Sequence, residues 1–295
     1  MEEIDIHADD YGLSVNTSRS ILSCIHADRL NSISVLPNMS CFDECLKLWE
    51  KELPEQKKRP AVSIHLNFVE GHCLCAPEKL NLLVDSDGYF KTSWVSLFWS
   101  CFSLHRKQIK AQLKLEIKAQ IEKIRSTYLE DDRLRIDSHQ HTHMIPVVFD
   151  ALHEVIAENH YKIKYIRNSR DFLFPYLRQV SLWPTYRPIN LVKVLILNIL
   201  SFRMERKLKK FGINRMYLWG ILMSGKMDRP RIKKLFPSIS KIAANHKRTL
   251  EILFHPGTLL ADEDGKDFVN RDAVAFYTSK NRKIEFETLM TSCLY

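Results

Sequence analysis

Residues 136–146 hold the densest group of side chains that could do chemistry. A short apolar run leads to Asp137, and three histidines follow at alternate positions from His139 to His143. If Leu134–Ser138 is a strand, Asp137 and His139 share one face of its end, because strand side chains alternate with period two. Imidazole and carboxylate are ligands for divalent cations. The segment alone leaves two alternatives open, a metal site or a surface turn rich in histidine.

Polar side chains also end four other short apolar runs. They are Asp9 and Asp10 after 4–8, His65 within 61–67, Arg167 at the end of 164–167, and His255 after 250–254. Adjacent aspartates commonly form a turn or cap a helix, and a lone strand histidine is more often structural. The functional alternative is that one aspartate binds a metal while its neighbour accepts a proton.

The elements between these residues predict the fold class. Apolar periodicity predicts helices at 16–27, 42–53, 108–128, 231–245 and 272–289, further strands at 31–38 and 217–221, and an irregular connection at 70–105. Strands alternate with helices at least six times, which predicts an α/β fold with a parallel sheet or a (β/α) barrel.

The predicted barrel would bring the polar residues together. In a barrel the site lies at the carboxyl ends of the strands, and all the polar residues named above fall at that rim. We therefore predict a metal held by a carboxylate and two histidines, with a free carboxylate and a free histidine beside it. This set suits metal-assisted hydrolysis. No Gly-Xaa-Ser-Xaa-Gly motif occurs, so an acyl-enzyme route through a serine elbow is not expected.

The composition limits the number of domains, the partners and the location that the chain could have. The chain has 295 residues, of which 45% are hydrophobic and 27% charged, and no repeat or linker divides it, so we predict one domain over 1–295. The net charge is +9, but no nucleic-acid motif is present and no nucleic-acid partner is expected. The absence of a signal peptide, of a spanning apolar stretch and of a cysteine framework favours a cytoplasmic location.

Residues 183–215 form a basic and apolar segment, which we interpret as an insertion. An apolar run at 191–200 is followed by the cations Arg203, Arg206, Lys207, Lys209, Lys210 and Arg215. The pattern is typical of a basic amphipathic helix, which can lie on an anionic membrane. Peripheral membrane contact through 191–215 is therefore one interpretation. The alternatives are a solvated helix face, a cover for the barrel's flank or a homodimer contact.

Four motifs in order along the chain resemble those of the YdjC-like carbohydrate deacetylases, the family to which the chitooligosaccharide deacetylases belong. The motifs are residues 7–14, 65–67, 137–143 and 255–257, and weaker likenesses occur at 83–90 and 219–225. The resemblance covers nearly the whole chain. It departs from the family pattern at His7, where asparagine is usual, and in the basic segment 183–215.

The resemblance implies a (β/α) barrel related to the polysaccharide deacetylases, one divalent metal, and removal of an acetyl group from an N-acetylated sugar. Carried over by position, Asp10, His65 and His139 would bind the metal. Asp9 would be the general base and His255 the acid for the leaving amine. Magnesium is the metal that the resemblance favours, with zinc as the alternative.

The remaining motif residues would support these groups. Asp137 would orient a histidine ligand, as carboxylates behind metal-bound imidazoles commonly do. His141 and Arg167 would either lie behind the ligands or contact the substrate.

Two other functions stay open on the residues alone. A metal-dependent hydrolase of another bond, such as a phosphoester, would use Arg167 and the surplus of basic residues. A non-catalytic carbohydrate-binding or membrane-surface module could keep the barrel, but it would have no use for Asp9 beside Asp10.

Overall fold

The computed structural model describes residues 4–54, 59–129, 131–209 and 216–291, and within them seven parallel strands form one sheet. The strands are β1 (Ile4–Tyr11), β2 (Ser32–Val35), β3 (Ala61–Leu66), β4 (Arg133–Ser138), β5 (Lys162–Ile166), β6 (Tyr217–Trp219) and β7 (Leu250–Phe254). Their order in the sheet is β5-β4-β3-β2-β1-β7-β6. The predicted α/β fold with parallel strands is confirmed, and the carboxyl ends of all seven strands meet at one rim.

The sheet curls into a half-barrel that stays open between its edge strands, β5 and β6. Side chains that cross its concave face give evidence of the curl. Arg135 Nη2 on β4 lies 2.6 Å from Asp5 Oδ2 on β1, and the hydroxyl of Tyr165 on β5 donates a hydrogen bond to Glu251 on β7. Because these strands are not neighbours in the sheet, such contacts require strong curvature.

Helices follow most strands and pack against the sheet and against one another. They are α1 (Val15–His26), α2 (Phe42–Glu52), α3 (Trp94–Ser100), α4 (Arg106–Thr127), α5 (Pro146–Glu158), α6 (Leu173–Arg178), α7 (Pro188–Leu208), α8 (Arg229–Asn245), α9 (Arg271–Tyr277) and α10 (Lys280–Thr291). The helices predicted at 16–27, 42–53, 108–128 and 231–245 are confirmed to within two residues.

Two sequence predictions need correction. The single helix predicted at 272–289 is two helices, because the chain turns at Thr278 and Ser279 between α9 and α10. The connection predicted as irregular over 70–105 contains helix α3, whose N-terminus is capped by the side chain of Ser93.

Helix α7 joins the predicted apolar run to the first part of the basic one. Pro188 stands at its first turn, where a missing backbone N–H costs little. One side of the helix is buried, with Val194 and Leu197 fully covered, while Leu195 and Ile199 on the other side are exposed. The helix is therefore apolar on both faces. Lys210 and Arg215 of the predicted basic run lie outside the described residues.

In the part of the chain that the structure describes, no helix combines the length and the hydropathy that crossing a bilayer requires.

A leucine-to-alanine substitution should have a large effect on one face of α7 and a small effect on the other. Leu197→Ala should lower the free energy of unfolding by about 2–5 kcal/mol, because it removes a fully buried side chain from the core. Leu195→Ala, on the exposed face, should change it by less than about 0.5 kcal/mol. Urea unfolding followed by circular dichroism measures both. Equal losses in the two variants would mean that α7 is oriented differently.

Candidate active site

The strand ends deliver the predicted residues to one cavity of about 350 Å³. Six of them line it, namely Asp9, Asp10, His65, His139, His141 and His255. The other two, Asp137 and Arg167, are fully buried behind its wall. The expectation that these residues meet at one rim therefore agrees with the geometry.

An irregularity in β1 points two adjacent carboxylates into this cavity. In a regular strand, neighbouring side chains point to opposite faces. The pairing of β1 with β2 shifts register between Ala8 and Tyr11, and Asp10 has a left-handed backbone with φ +73°. Aspartate tolerates this conformation better than most residues. The shift lets Asp9 and Asp10 serve the same site from consecutive positions.

Asp10, His65 and His139 form a compact group of possible metal ligands. One ligand atom of each lies within 4.8 Å of the others, and all three residues are buried. Asp10 Oδ1 lies 2.9 Å from His139 Nδ1 and 3.5 Å from His65 Nε2. One carboxylate oxygen and two imidazole nitrogens thus converge at the cavity wall, and this donor set fits a borderline or hard divalent ion.

The raised pKa values of the two histidines show that the carboxylates around this group stabilise positive charge. Burial by itself would lower the pKa of His65, but the charges of Asp9 and Asp137 raise it to about 10. Burial likewise opposes the rise in the pKa of His139, which the Asp10 carboxylate brings to about 9. The same carboxylates would stabilise a divalent cation bound between these side chains. The residues present therefore fit a metal.

A neighbouring group, His7, Asp9 and Asp137, also has metal-ligand spacing among the described residues. A cation already sits between its carboxylates, because Arg167 Nη2 lies 2.9 Å from Asp9 Oδ1 and 3.1 Å from Asp137 Oδ2. The ring nitrogens of His7 are 2.6 and 2.7 Å from the hydroxyls of two serines on β2. This second group is therefore a structural ion cluster, and the metal fits the Asp10 group better.

Both candidate histidine ligands are oriented from behind. His65 Nδ1 lies 2.7 Å from Asp137 Oδ1, so the carboxylate predicted to orient a histidine contacts His65. His139 Nε2 lies 2.7 Å from the Tyr277 hydroxyl and 3.1 Å from Glu70 Oε2. Such partners fix the ring orientation and the tautomer of a metal-binding imidazole.

Asp9 and His255 lie next to each other in the remaining part of the cavity lining. Arg167 holds Asp9 through two hydrogen bonds of 2.9 and 3.0 Å. Burial would raise the pKa of Asp9, but the guanidinium outweighs it and keeps that pKa well below its usual range. His255 Nε2 lies 4.0 Å from Asp9 Oδ2, and Glu285 accepts a 2.6 Å hydrogen bond from the backbone N–H of His255. A carboxylate that is ionised at neutral pH thus stands beside an imidazole.

His141 lines the cavity without joining the ligand group. Gln140 and His141 both have left-handed backbones, with φ of 53° and 59°, so the histidine-rich stretch turns sharply after β4. His141 Nδ1 lies 2.9 Å from the Ser169 hydroxyl. Burial, reinforced by Lys193 and Arg167, holds the pKa of His141 well below its usual range. This imidazole is neutral and points at the cavity from its side wall.

Arg167, whose predicted role was open between supporting the ligands and contacting substrate, is not part of the cavity wall. It is fully buried, and besides Asp9 and Asp137 it contacts Glu251 at 2.6 Å. Its position places it behind Asp9 as a partner of three carboxylates.

Several site residues were missed from the sequence because they come from helices. Arg282 on α10 donates a 2.9 Å hydrogen bond to Asp10 Oδ2, which leaves Asp10 Oδ1 to the histidines. Tyr277 on α9 contacts His139, and Lys193 on α7 lines the cavity. Burial lowers the pKa of Lys193 to about 8 against the opposing charges of Asp9 and Asp10. The one usable signal was Lys193 itself, a single cation inside an apolar run.

Comparisons with known proteins agree with the motifs. The model of the family described as YdjC-like protein matches residues 3–294. Among relatives, a carbohydrate deacetylase from Thermoanaerobacter pseudethanolicus is 32% identical over 52% of this chain and 57% of its own length. One from Xenopus laevis is 25% identical over 55% of this chain and 49% of its own. One from Clostridium beijerinckii is 22% identical over 78% and 88%. The chain thus spans about half the length of the first two relatives.

A solved structure shows the same fold. The crystal structure of a "putative cellobiose-phosphate cleavage protein" from Enterococcus faecalis V583 superposes with a TM-score of 0.60 and 16% identity. The match covers 98% of this chain and 95% of that one.

The ligand group predicts how metal binding responds to substitution. His139→Ala should weaken the binding of Mg²⁺ or Zn²⁺ by at least about 100-fold, because it removes one of three protein ligands. His141→Ala is the matched control, since it removes a buried cavity imidazole outside the group and should leave the affinity unchanged. Isothermal titration of both variants measures the difference. Wild-type affinity in His139→Ala would exclude this ligand group.

Proposed function

The chain belongs to the YdjC-like protein family, and we propose that it is a metal-dependent hydrolase that removes the acetyl group from an N-acetylated sugar. One observation carries the proposal. Asp10, His65 and His139 converge within 4.8 Å in the lining of a cavity that Asp9 and His255 also line. The relatives named as carbohydrate deacetylases support the choice of an acetylated sugar.

The residues present meet the requirements of amide hydrolysis. The reaction needs a nucleophile, stabilisation of the charge that develops on the carbonyl oxygen, and a proton for the departing nitrogen. Asp10, His65 and His139 would hold one divalent ion, with Mg²⁺ proposed and Zn²⁺ as the alternative. When bound, such an ion polarises a carbonyl and lowers the pKa of a water molecule.

Asp9 is the proposed proton acceptor. Its two hydrogen bonds to Arg167 fix its orientation, and its depressed pKa keeps it ionised before the reaction. His255 is the proposed donor to the leaving amine, because it lines the same cavity with its Nε2 4.0 Å from Asp9 Oδ2. A proton acceptor and a proton donor thus line the same cavity as the proposed metal ligands.

The rest of the cavity offers contacts for a sugar. Gln140, Asn190 and Asn270 present amide groups, and Phe276 presents an aromatic ring. Amides can pair with sugar hydroxyls, while a ring face suits the apolar side of a pyranose. A cytoplasmic location and a homodimer stay predictions from the sequence.

Phosphoester hydrolysis is the second candidate function. Arg187 and Lys193 place two cations on the cavity wall, where they could pair with a phosphate group. The acetylated sugar is preferred, because Asp9 and His255 provide the base and the acid that an amide requires.

An acetate-release screen tests the proposal directly. The full chain is incubated with N-acetylated monosaccharides and oligosaccharides, and with sugar phosphates, in the presence of Mg²⁺, Zn²⁺ or a chelator. We expect metal-dependent release of acetate without release of phosphate. Phosphate release alone would favour the second candidate, and no release of either product under any metal would contradict both.

The paired aspartates should separate chemistry from metal binding. Asp9→Asn should keep metal affinity and lower the turnover number about 10²–10⁴-fold, because it removes the proton acceptor. Asp10→Asn should lower metal affinity itself. Metal titration and acetate release on the same preparations test the distinction. If the two variants lose metal equally, the assignment of separate roles is wrong.

A further inference from the structure

We propose that an exposed apolar face formed by α7 and α3 docks on an anionic membrane surface. The α7–α3 face consists of Ile189, Val192, Leu195, Ile199 and Phe202 on α7, Val95 and Trp99 on α3, and Phe102 and Leu104 in the turn that follows α3. Among the described residues these are nine of the sixteen large hydrophobic side chains that are exposed. Such a concentration marks an interaction surface rather than the scattered apolar residues that any protein exposes.

The α7 part of this face is a continuous stripe. Its members are spaced by three or four residues, so they lie on one side of the helix. Ile199 is 68% exposed, whereas Leu197 and Met204 on the opposite side are at most 1% exposed. A helix that only covers the half-barrel needs one apolar side. The second apolar side is not explained by the fold.

The α3 part adjoins the C-terminal half of α7. Arg106, the first residue of α4, and Arg203 on α7 both lie 3.1 Å from Asp150 Oδ2 on α5. The two guanidinium groups therefore meet at one carboxylate, which links the start of α4, four residues after Phe102, to the C-terminal half of α7. Trp99 and Phe102 are 64% and 73% exposed. Tryptophan in particular favours the boundary between water and lipid.

The charge at the border of the face identifies the occupant. Exposed cations stand at both ends of α7 and at the start of α4, namely Arg187, Arg203, Arg206, Lys209, Arg106 and Lys107. Glu205 is the one acidic residue in the sequence from 188 to 209, and it pairs with Arg248 at 3.0 Å. An apolar stripe bordered by cations is the pattern of surfaces that lie in the headgroup region of anionic bilayers.

A second copy of the chain fits this face less well. Cations stand at both ends of the α7 stripe, so packing two stripes together in either direction brings cation against cation. Such contacts are repulsive unless anions separate them. An anionic bilayer supplies both the apolar phase and the negative charge that the face lacks.

The face adjoins the mouth of the cavity. Ile189 belongs to the α7 stripe and also lines the cavity, as do the neighbouring residues Arg187 and Asn190. Docking would hold the cavity entrance close to the headgroups. Resting on the proposed function, this position implies an N-acetylated sugar carried by a lipid.

Vesicle flotation tests the docking without any substrate. The full chain is mixed with vesicles of phosphatidylcholine, alone or with phosphatidylglycerol, at low and at high salt. We expect flotation with the anionic vesicles at low salt and release at high salt, because salt screens the cations. No flotation with anionic vesicles at low salt would overturn the proposal.

Charge variants locate the contact. Arg206→Glu combined with Lys209→Glu should lower partitioning more than about 25-fold, since each cation near the surface contributes about fivefold. Lys51→Glu combined with Lys118→Glu is the matched control, because it removes the same net charge from exposed positions on α2 and α4. Equal losses in the two double variants would mean that net charge, and not this face, binds the vesicles, and would overturn the proposal.

Apolar variants test the stripe itself. Leu195→Gln with Ile199→Gln should lower partitioning about tenfold or more, while Leu115→Gln, an exposed leucine on α4, should not change it. Thermal unfolding verifies that the variants are folded, and Trp99→Ala gives a second test on α3 if the α7 variant is not.

Light scattering measures the oligomeric state and so tests whether a second copy of the chain occupies this face instead. A dimer that the α7 variants dissociate, with flotation unchanged, would make the face a contact between copies and contradict membrane docking.

A separate experiment tests whether the substrate is an N-acetylated sugar carried by a lipid. Acetate release is compared between an N-acetylglucosaminyl lipid in anionic vesicles and soluble N-acetylglucosamine oligomers. The variant Arg206→Glu with Lys209→Glu should lose rate on the lipid and keep it on the oligomers. Equal rates on the lipid for wild type and variant would overturn the inference of a lipid-carried substrate. No acetate from either substrate would contradict the proposed function while leaving the flotation result intact.

Discussion

A buried guanidinium is the interaction on which the site depends. Arg167 follows an edge strand, is fully buried, and contacts Asp9, Asp137 and Glu251 on three other strands. These contacts cross the concave face and hold the half-barrel curled at the rim where the cavity lies. Three carboxylates face one guanidinium, so negative charge is in excess, and buried charge without a partner is costly. The raised pKa of His65 reflects that excess, and a cation beside Asp10 would relieve it.

The sequence was sufficient to predict the residues at the strand ends. Period-two patterns locate the strands, and parallel strands bring their carboxyl ends to one rim, so His65, His139 and His255 could be placed without a structure. The joint orientation of Asp9 and Asp10 could not be predicted, because it depends on a register shift in β1 that no residue pattern marks.

The helical part of the site was beyond sequence reasoning for a different reason. A charged residue in an amphipathic helix is normally taken to face water, and nothing local marks one that is buried. Arg282 and Glu285 are both fully buried, where they contact Asp10 and the backbone of His255. The segment 183–215 was noticed for its composition. Its helix nevertheless has two roles that composition cannot separate, since Lys193 points to the cavity while Ile199 faces outward.

We infer that the curled rim builds one cation site from Asp10, His65 and His139. Anomalous diffraction from crystals grown with Mn²⁺ or Zn²⁺, recorded at the absorption edge of the metal, tests it most directly. We expect a single strong peak within coordination distance of these three side chains. A peak between His7, Asp9 and Asp137, or no peak in the cavity at saturating metal, would contradict it.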